Sequence, residues 1–279
     1  MAYLLAIGSA LLYGAADFTG GITTRRAGTL PVVIVSQASG LVLVILLLPL
    51  LPHATPARAD LLWGAAAGLT GGIGVALLYR ALSIGTMAVV APTTAVCAVA
   101  IPVLVSLVLG ERPAPLAVAG IALGIASIVL VSQQRSVQHA GRSAGVGTAL
   151  ASGVAIGLFL ITLAQTRSES GLWPLVTNRA VSVALFGAAA VATRQSLRMP
   201  SQLVGLVSMG GAMDMLANAL YMLAARQGPL SVVVTLSSLY PASTVLLARA
   251  VLGERLNRWQ TTGVGCALVA VALIVSGGR

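Results

Sequence analysis

Val108-Leu109-Gly110-Glu111-Arg112 returns letter for letter as Val251-Leu252-Gly253-Glu254-Arg255. The offset is 143 in a chain of 279 residues. Self-similarity at a fixed long period is an architectural signal. Working outward, residues 85–112 and 228–255 agree at nine of twenty-eight positions without a gap, five of them the pentapeptide itself. Gly120 and Gly263 carry the register into the stretch that follows.

What lies around the two copies is apolar. Hydrophobic types make up 58% of the chain and charged types 8%, where a water-soluble domain carries about a quarter charged residues. Such a surface needs lipid as its solvent. Ten apolar segments can be marked, at 3–23, 31–51, 61–84, 87–109, 116–132, 145–166, 172–192, 202–225, 230–252 and 260–276. Each is about the length that spans hydrocarbon as a helix. Barrel strands would alternate apolar and polar residues, and these segments do not. The N-terminus has no basic region ahead of its apolar run, so a cleaved signal is not expected.

The pentapeptides close the fourth and the ninth segments. The expected fold is therefore all-α and integral to the membrane, with ten transmembrane helices as two five-helix repeats around a central cavity. The repeats are 1–133 and 144–279, with 134–143 as linker. Five is odd, so the second repeat enters from the opposite side and the topology is inverted, which places a shared site near the midplane. Gly64, Gly68 and Gly72 recur every fourth residue, as do Gly120/Gly124 and Gly153/Gly157, and such stripes let helices approach closely in lipid. Pro92, Pro102 and Pro241 lie inside the fourth and ninth segments and should bend them.

All sixteen basic residues are Arg, against six acidic ones. They fall singly or in pairs between apolar runs, as topology signals do, which argues against a nucleic-acid partner. Counted by side, nine Arg stand opposite the termini and five with them, which alone would put the termini outside. Cys97 and Cys266 are lone thiols within apolar runs and read as core filling. His53 and His139 both lie between segments, so no intramembrane Ser–His pair and no His metal cluster is expected. There is no lysine for a phosphate-binding loop. No enzyme activity, cofactor or metal is expected; the partners are the bilayer and a small-molecule substrate.

Ionisable residues inside spans cost about 2.5–3.5 kcal/mol each on insertion scales and usually face a cavity. Asp17, Arg179, Asp214 and Arg249 qualify. Asn218 and Tyr221 follow Asp214 at i+4 and i+7, on one helix face. Gly71, Val75 and Leu78 occupy the matching positions of the first repeat, so this polar face belongs to one half only. It either lines the cavity and binds a polar or cationic group, or Asp214 pairs with a buried arginine to hold the bundle. Tyr13 and Asp17 form another i, i+4 pair. Asp17 would bind substrate, carry a proton, or pair with Arg25 or Arg26. Arg179 corresponds to Gln37 at an offset of 142, and its obvious partner is Asp214 or Asp17, in a structural pair or an anion site. Arg249 is within a turn of its span end and would snorkel. Hydroxyls gather at Thr93, Thr94, Ser237, Ser238 and Tyr240, and the Tyr240-Pro241 step would free carbonyls toward a cavity.

Leu12-Tyr13-Gly14-Ala15-Ala16-Asp17-Phe18, Tyr79-Arg80-Ala81-Leu82, Tyr240-Pro241-Ala242, Val245-Leu246-Leu247-Ala248-Arg249 and the two Leu-Gly-Glu-Arg copies occur in an order that resembles the EamA family of the drug/metabolite transporter superfamily. The resemblance covers nearly the whole chain. It implies ten helices in two inverted repeats, a central cavity, export or exchange of small metabolites such as amino acids, and both termini in the cytoplasm of a cell whose plasma or inner membrane holds the protein. Where that family usually has Trp before the Gly of its first span, Tyr13 stands here. The expected function is alternating-access transport, with substrate held by Tyr13, Asp17, Arg179, Asp214, Asn218, Tyr221 and Tyr240, and with a proton on Asp17 or Asp214 as one source of drive. An exporter of organic cations and a non-transporting scaffold are the alternatives.

Overall fold

A computed structural model describes residues 1–50, 54–108, 114–132, 144–227, 233, 236–237, 239–254, 256 and 258–277. The first pentapeptide from Leu109 onward, the linker 134–143, His53, His139, Ser238 and Arg255 lie outside the described residues. Among the described residues ten α-helices follow one another and no strand occurs: α1 Ala2–Ala27, α2 Thr29–Leu47, α3 Arg58–Ile84, α4 Met87–Val108, α5 Pro115–Ser132, α6 Ala144–Ala164, α7 Trp173–Thr193, α8 Ser201–Gln227, α9 Tyr240–Leu252 and α10 Arg258–Gly277. Six of them, α1, α2, α3, α6, α7 and α8, are long and apolar enough to cross a membrane. Leu4, Leu46, Leu62, Val191 and Leu246 stand exposed on helix surfaces, an arrangement stable against acyl chains rather than water.

Local sequence fixes the helix ends. Gly28 alone joins α1 to α2, at φ 79, a conformation that a side chain would resist. Gly253 ends α9 in the left-handed region at φ 63. The Gly253 and Glu254 amides both turn back to the Ala248 carbonyl, the closure that a left-handed glycine makes at a helix C-terminus. Pro92 and Pro102 lie inside α4 as expected. At Pro241 the helical residues Leu236 and Ser237 are followed by a turn at Leu239, and the next helix begins at Tyr240 with Pro241 in its first turn, a break where a bend was expected. The proline's fixed φ and missing N–H suit that position, where an amide would lack an intrahelical partner anyway.

Packing follows the small residues. A Cβ on Gly64 would come within 2.5 Å of the Pro174 carbonyl oxygen, and one on Gly68 within 2.5 Å of the Asn178 carbonyl oxygen. On Gly72 it would lie 2.7 Å from Ser182 Oγ. The stripe thus brings α3 against α7 backbone to backbone. Gly153 and Gly157 do the same for α6 on α4, at Thr94 and Ala98.

Two pairs of interhelical hydrogen bonds are related by the repeat offset. Ser9 Oγ donates to the Ala217 carbonyl at 2.8 Å, tying α1 to α8. Ser152 Oγ donates to the Gly74 carbonyl at 2.8 Å, tying α6 to α3. Each partner of one bond lies 143 residues from its counterpart in the other. The same offset relates Thr94 Oγ1 donating to the Ala149 carbonyl at 3.2 Å and Ser237 Oγ donating to the Ala6 carbonyl at 3.5 Å. α2 and α7 pack on each other, as do α5 and α10. Arg25, at the end of α1, donates to the Leu82, Ser83 and Gly85 carbonyls at the end of α3. Gly85 abuts Gly145 at the start of α6. So α6 begins where α1 finishes, and the two run in opposite directions.

Candidate functional site

Three helices meet at Arg179. It lies on α7, 5% exposed. Its Nη1 donates to Gln37 Oε1 on α2, and its Nη2 donates to Asp214 Oδ2 on α8. The approach is close because α2 and α8 also touch through glycines. A Cβ on Gly211 would lie 2.1 Å from the Ser36 carbonyl oxygen, and one on Gly40 would lie 3.3 Å from the Gly211 oxygen and 3.5 Å from Arg179 Nε. An ion pair taken out of water is tolerable only when hydrogen bonds complete it, and Gln37 supplies one such bond. Among the described residues, Arg179 Nε and the neighbouring Asn178 Nδ2 are buried without an acceptor. Those two donors are unused capacity beside the pair.

Of the two partners expected for Arg179, Asp214 is the one it takes. Asn218 is drawn to its own helix, with Nδ2 donating to the Asp214 carbonyl at 2.8 Å. Tyr221, a further turn along, packs beside the apolar cluster of Ala2, Ala6, Ala224 and Val233. The three residues share a face, but only Asp214 reaches Arg179.

Asp17 is buried at 8% exposure. Among the described residues no hydrogen-bond donor is paired with its carboxylate, and Asp214 is nearby. Arg25 goes elsewhere, to the end of α3 and to Glu254. One turn before Asp17, the Tyr13 ring meets the Tyr240 ring edge-on with centroids 6.1 Å apart. Tyr13 is within electrostatic reach of Asp214, Arg179, Tyr221 and Asp17. Asp17, Tyr13, Arg179 and Asp214 thus form one neighbourhood, with Tyr240 on its edge. Arg249 is exposed at the end of α9, apart from it.

Three polar residues near this neighbourhood were not among the expected substrate-binding residues. Gln37 is recognisable only as the counterpart of Arg179. Ser36 and Tyr79 pair their hydroxyls at 3.4 Å between α2 and α3, and Tyr79 feels both Asp214 and Asp17. Asp60 is the third ion-paired acid. It lies in the first turn of α3 and holds Arg167, with Nη2 to Oδ2 at 3.0 Å and the Arg167 amide to Oδ1 at 3.1 Å. An acid just after Pro56 and before an apolar run is a helix-start signal, which would have found it.

The EamA-like transporter family matches the chain twice, over residues 1–133 and 143–276. No curated protein sequence matches. A protein crystal structure 16% identical to the chain superposes with a TM-score of 0.63, covering 98% of this chain and 95% of its own. That likeness shows a shared fold.

Proposed function

The chain belongs to the EamA-like transporter family, and from that premise we propose that it exports small polar metabolites, amino-acid-like compounds among them, as a secondary transporter working by alternating access. In this reading two five-helix repeats, 1–133 and 144–279, joined through 134–143, run in inverted topology about a site near the midplane. The paired bonds of Ser9 and Ser152, and the opposed directions of α1 and α6, support it. The protein sits in the plasma or inner membrane with both termini in the cytoplasm. No covalent chemistry is required.

The observation that carries the reading is the buried Arg179, bonded to Gln37 from one half and Asp214 from the other. A charge at membrane depth marks a pathway more often than it serves stability. Arg179 would receive a substrate carboxylate in competition with Asp214. Asp17 would take the amine, or the proton that drives the cycle. Tyr13 and Tyr240 would bound the site, with Asn218 and Tyr221 on the face that continues from Asp214.

One observation favours a second substrate class. Asp214 already matches Arg179, while Asp17 has no partner among the described residues. With both carboxylates ionised the cluster is net negative, which suits an organic cation. A thermal-shift screen of the purified protein against metabolites and lipophilic cations, followed by flux in proteoliposomes, separates the two. Zwitterion flux that falls at least tenfold in Asp214→Asn supports the first. Cation flux lost in Asp17→Asn while Asp214→Asn keeps it supports the second. Wild-type flux in both folded variants removes both acids from the site, and no flux of any compound favours a scaffold.

A further inference from the structure

The repeated pentapeptide sits away from this site, and its second copy makes contacts that the site does not use. Gly253, left-handed at φ 63, turns the chain out of α9 so that Glu254 leaves its own helix. The Glu254 carboxylate then accepts from the Met87 amide at 3.2 Å and the Ala88 amide at 3.1 Å. These are free donors at the N-terminus of α4, where a negative charge is favoured. Arg25 approaches the same carboxylate, Nη2 to Oε1 at 3.7 Å. With its other bonds Arg25 covers the Leu82, Ser83 and Gly85 carbonyls that end α3, the negative pole of that helix. One anion and one cation from α9 and α1 therefore hold the turn between α3 and α4 at both of its poles.

We propose that Glu254 and Arg25 form a latch that holds shut the end of the molecule where α1, α3 and α9 finish and α4 begins. This assignment rests on the alternating-access reading, since a latch matters only if that end opens. The junction joins α9 to three helices of the other half, so the halves separate there only if it breaks. It is also built to break. Side-chain exposures of 33% for Arg25 and 14% for Glu254 leave both groups within reach of water, which can replace each bond as it opens. A sealed apolar contact would give no such exchange. The matching Glu111 lies outside the described residues, so the latch is assigned to one end.

Thr24 offers a reporter. It is one residue from Arg25, 5% exposed, and its hydroxyl has no partner among the described residues, so Thr24→Cys is a mild change. With Cys97 and Cys266 replaced by Ala, the full chain in nanodiscs is treated with a charged maleimide and the labelling rate at position 24 is followed. Glu254→Gln and Arg25→Met each raise that rate, by roughly tenfold if one hydrogen bond to a charged group is lost from the closed state. Their combination raises it no further than the stronger single variant. Arg25→Lys stays nearer to wild type. Unchanged rates in both single variants, at unchanged elution on size exclusion, overturn the latch. If Glu254→Gln does not fold, Glu254→Asp, which withdraws the carboxylate by one methylene, takes its place in the same measurement. Labelling needs no transported compound, so the latch and the substrate reading fail separately.

Discussion

Arg179 on α7 donates a hydrogen bond to Gln37 on α2, 142 residues away. The guanidinium also spans to Asp214, so one side chain ties α7 to α2 and α8. Replacing Asp214 by Ala leaves a buried cation without its anion, a loss of about 3–5 kcal/mol for pairs of this kind. The thermal midpoint in detergent should fall accordingly. Arg179→Met combined with Asp214→Leu should lose less than the two single changes summed, since neither charge is then stranded. Additive losses would show that the pair contributes nothing as a pair.

Ser9→Ala and Ser152→Ala should behave as twins. Each removes a donor from a carbonyl on a neighbouring helix, at 2.8 Å in both cases, and each should cost about 1 kcal/mol or less. Denaturation of the two single variants and the double variant checks this. Equal, additive losses are expected of matched, separate sites; a severalfold difference would show that the two interfaces are not energetically equivalent.

Glycines on α3 and α7 offer a contrast. Gly68→Ala forces a methyl to within 2.5 Å of the Asn178 carbonyl oxygen, and overpacking of this sort costs about 1–3 kcal/mol. Gly187→Ala on α7 meets nothing within 4 Å, and should raise stability by up to about 1 kcal/mol by reducing backbone freedom in the unfolded chain. Opposite shifts in the unfolding midpoint are the expected result, and a loss of similar size in both would show that proximity to α7 is not what selects glycine at 68.

Asp60→Asn should loosen the turn after α6. The Arg167 amide and guanidinium both end on that carboxylate, so hydrogen exchange at residues 166–171 should speed up while exchange in α7 stays unchanged. Uniform protection in the variant would show that the turn is held by its own backbone bonds.

The repeat was legible because helix ends need particular residues: in the second copy Gly253 takes the left-handed conformation that ends α9 and Glu254 caps α4. The interfaces between were harder to read. Ser9 and Ser152 carry the same offset, yet a serine in an apolar run bonds its own helix as readily as a neighbour, as Ser39 does with Val35 at 2.7 Å. Asp214 could be matched to an arginine from burial cost alone, whereas Tyr221 could not be placed, since sharing a helix face says nothing of what that face meets two turns on. The break at Leu239, between Ser237 and Tyr240, was legible from Pro241, whose missing N–H and fixed φ disfavour an unbroken helix there.

The Gln37–Arg179 contact has a consequence for assembly. Two copies of the second half, joined as the two halves are joined here, would set guanidinium against guanidinium where Gln37 now accepts from Arg179. Two copies of the first half would set amide against amide, with neither Arg179 nor Asp214 present. At this contact neither half would serve in place of the other, because the Arg179 guanidinium needs both the Gln37 amide oxygen and the Asp214 carboxylate.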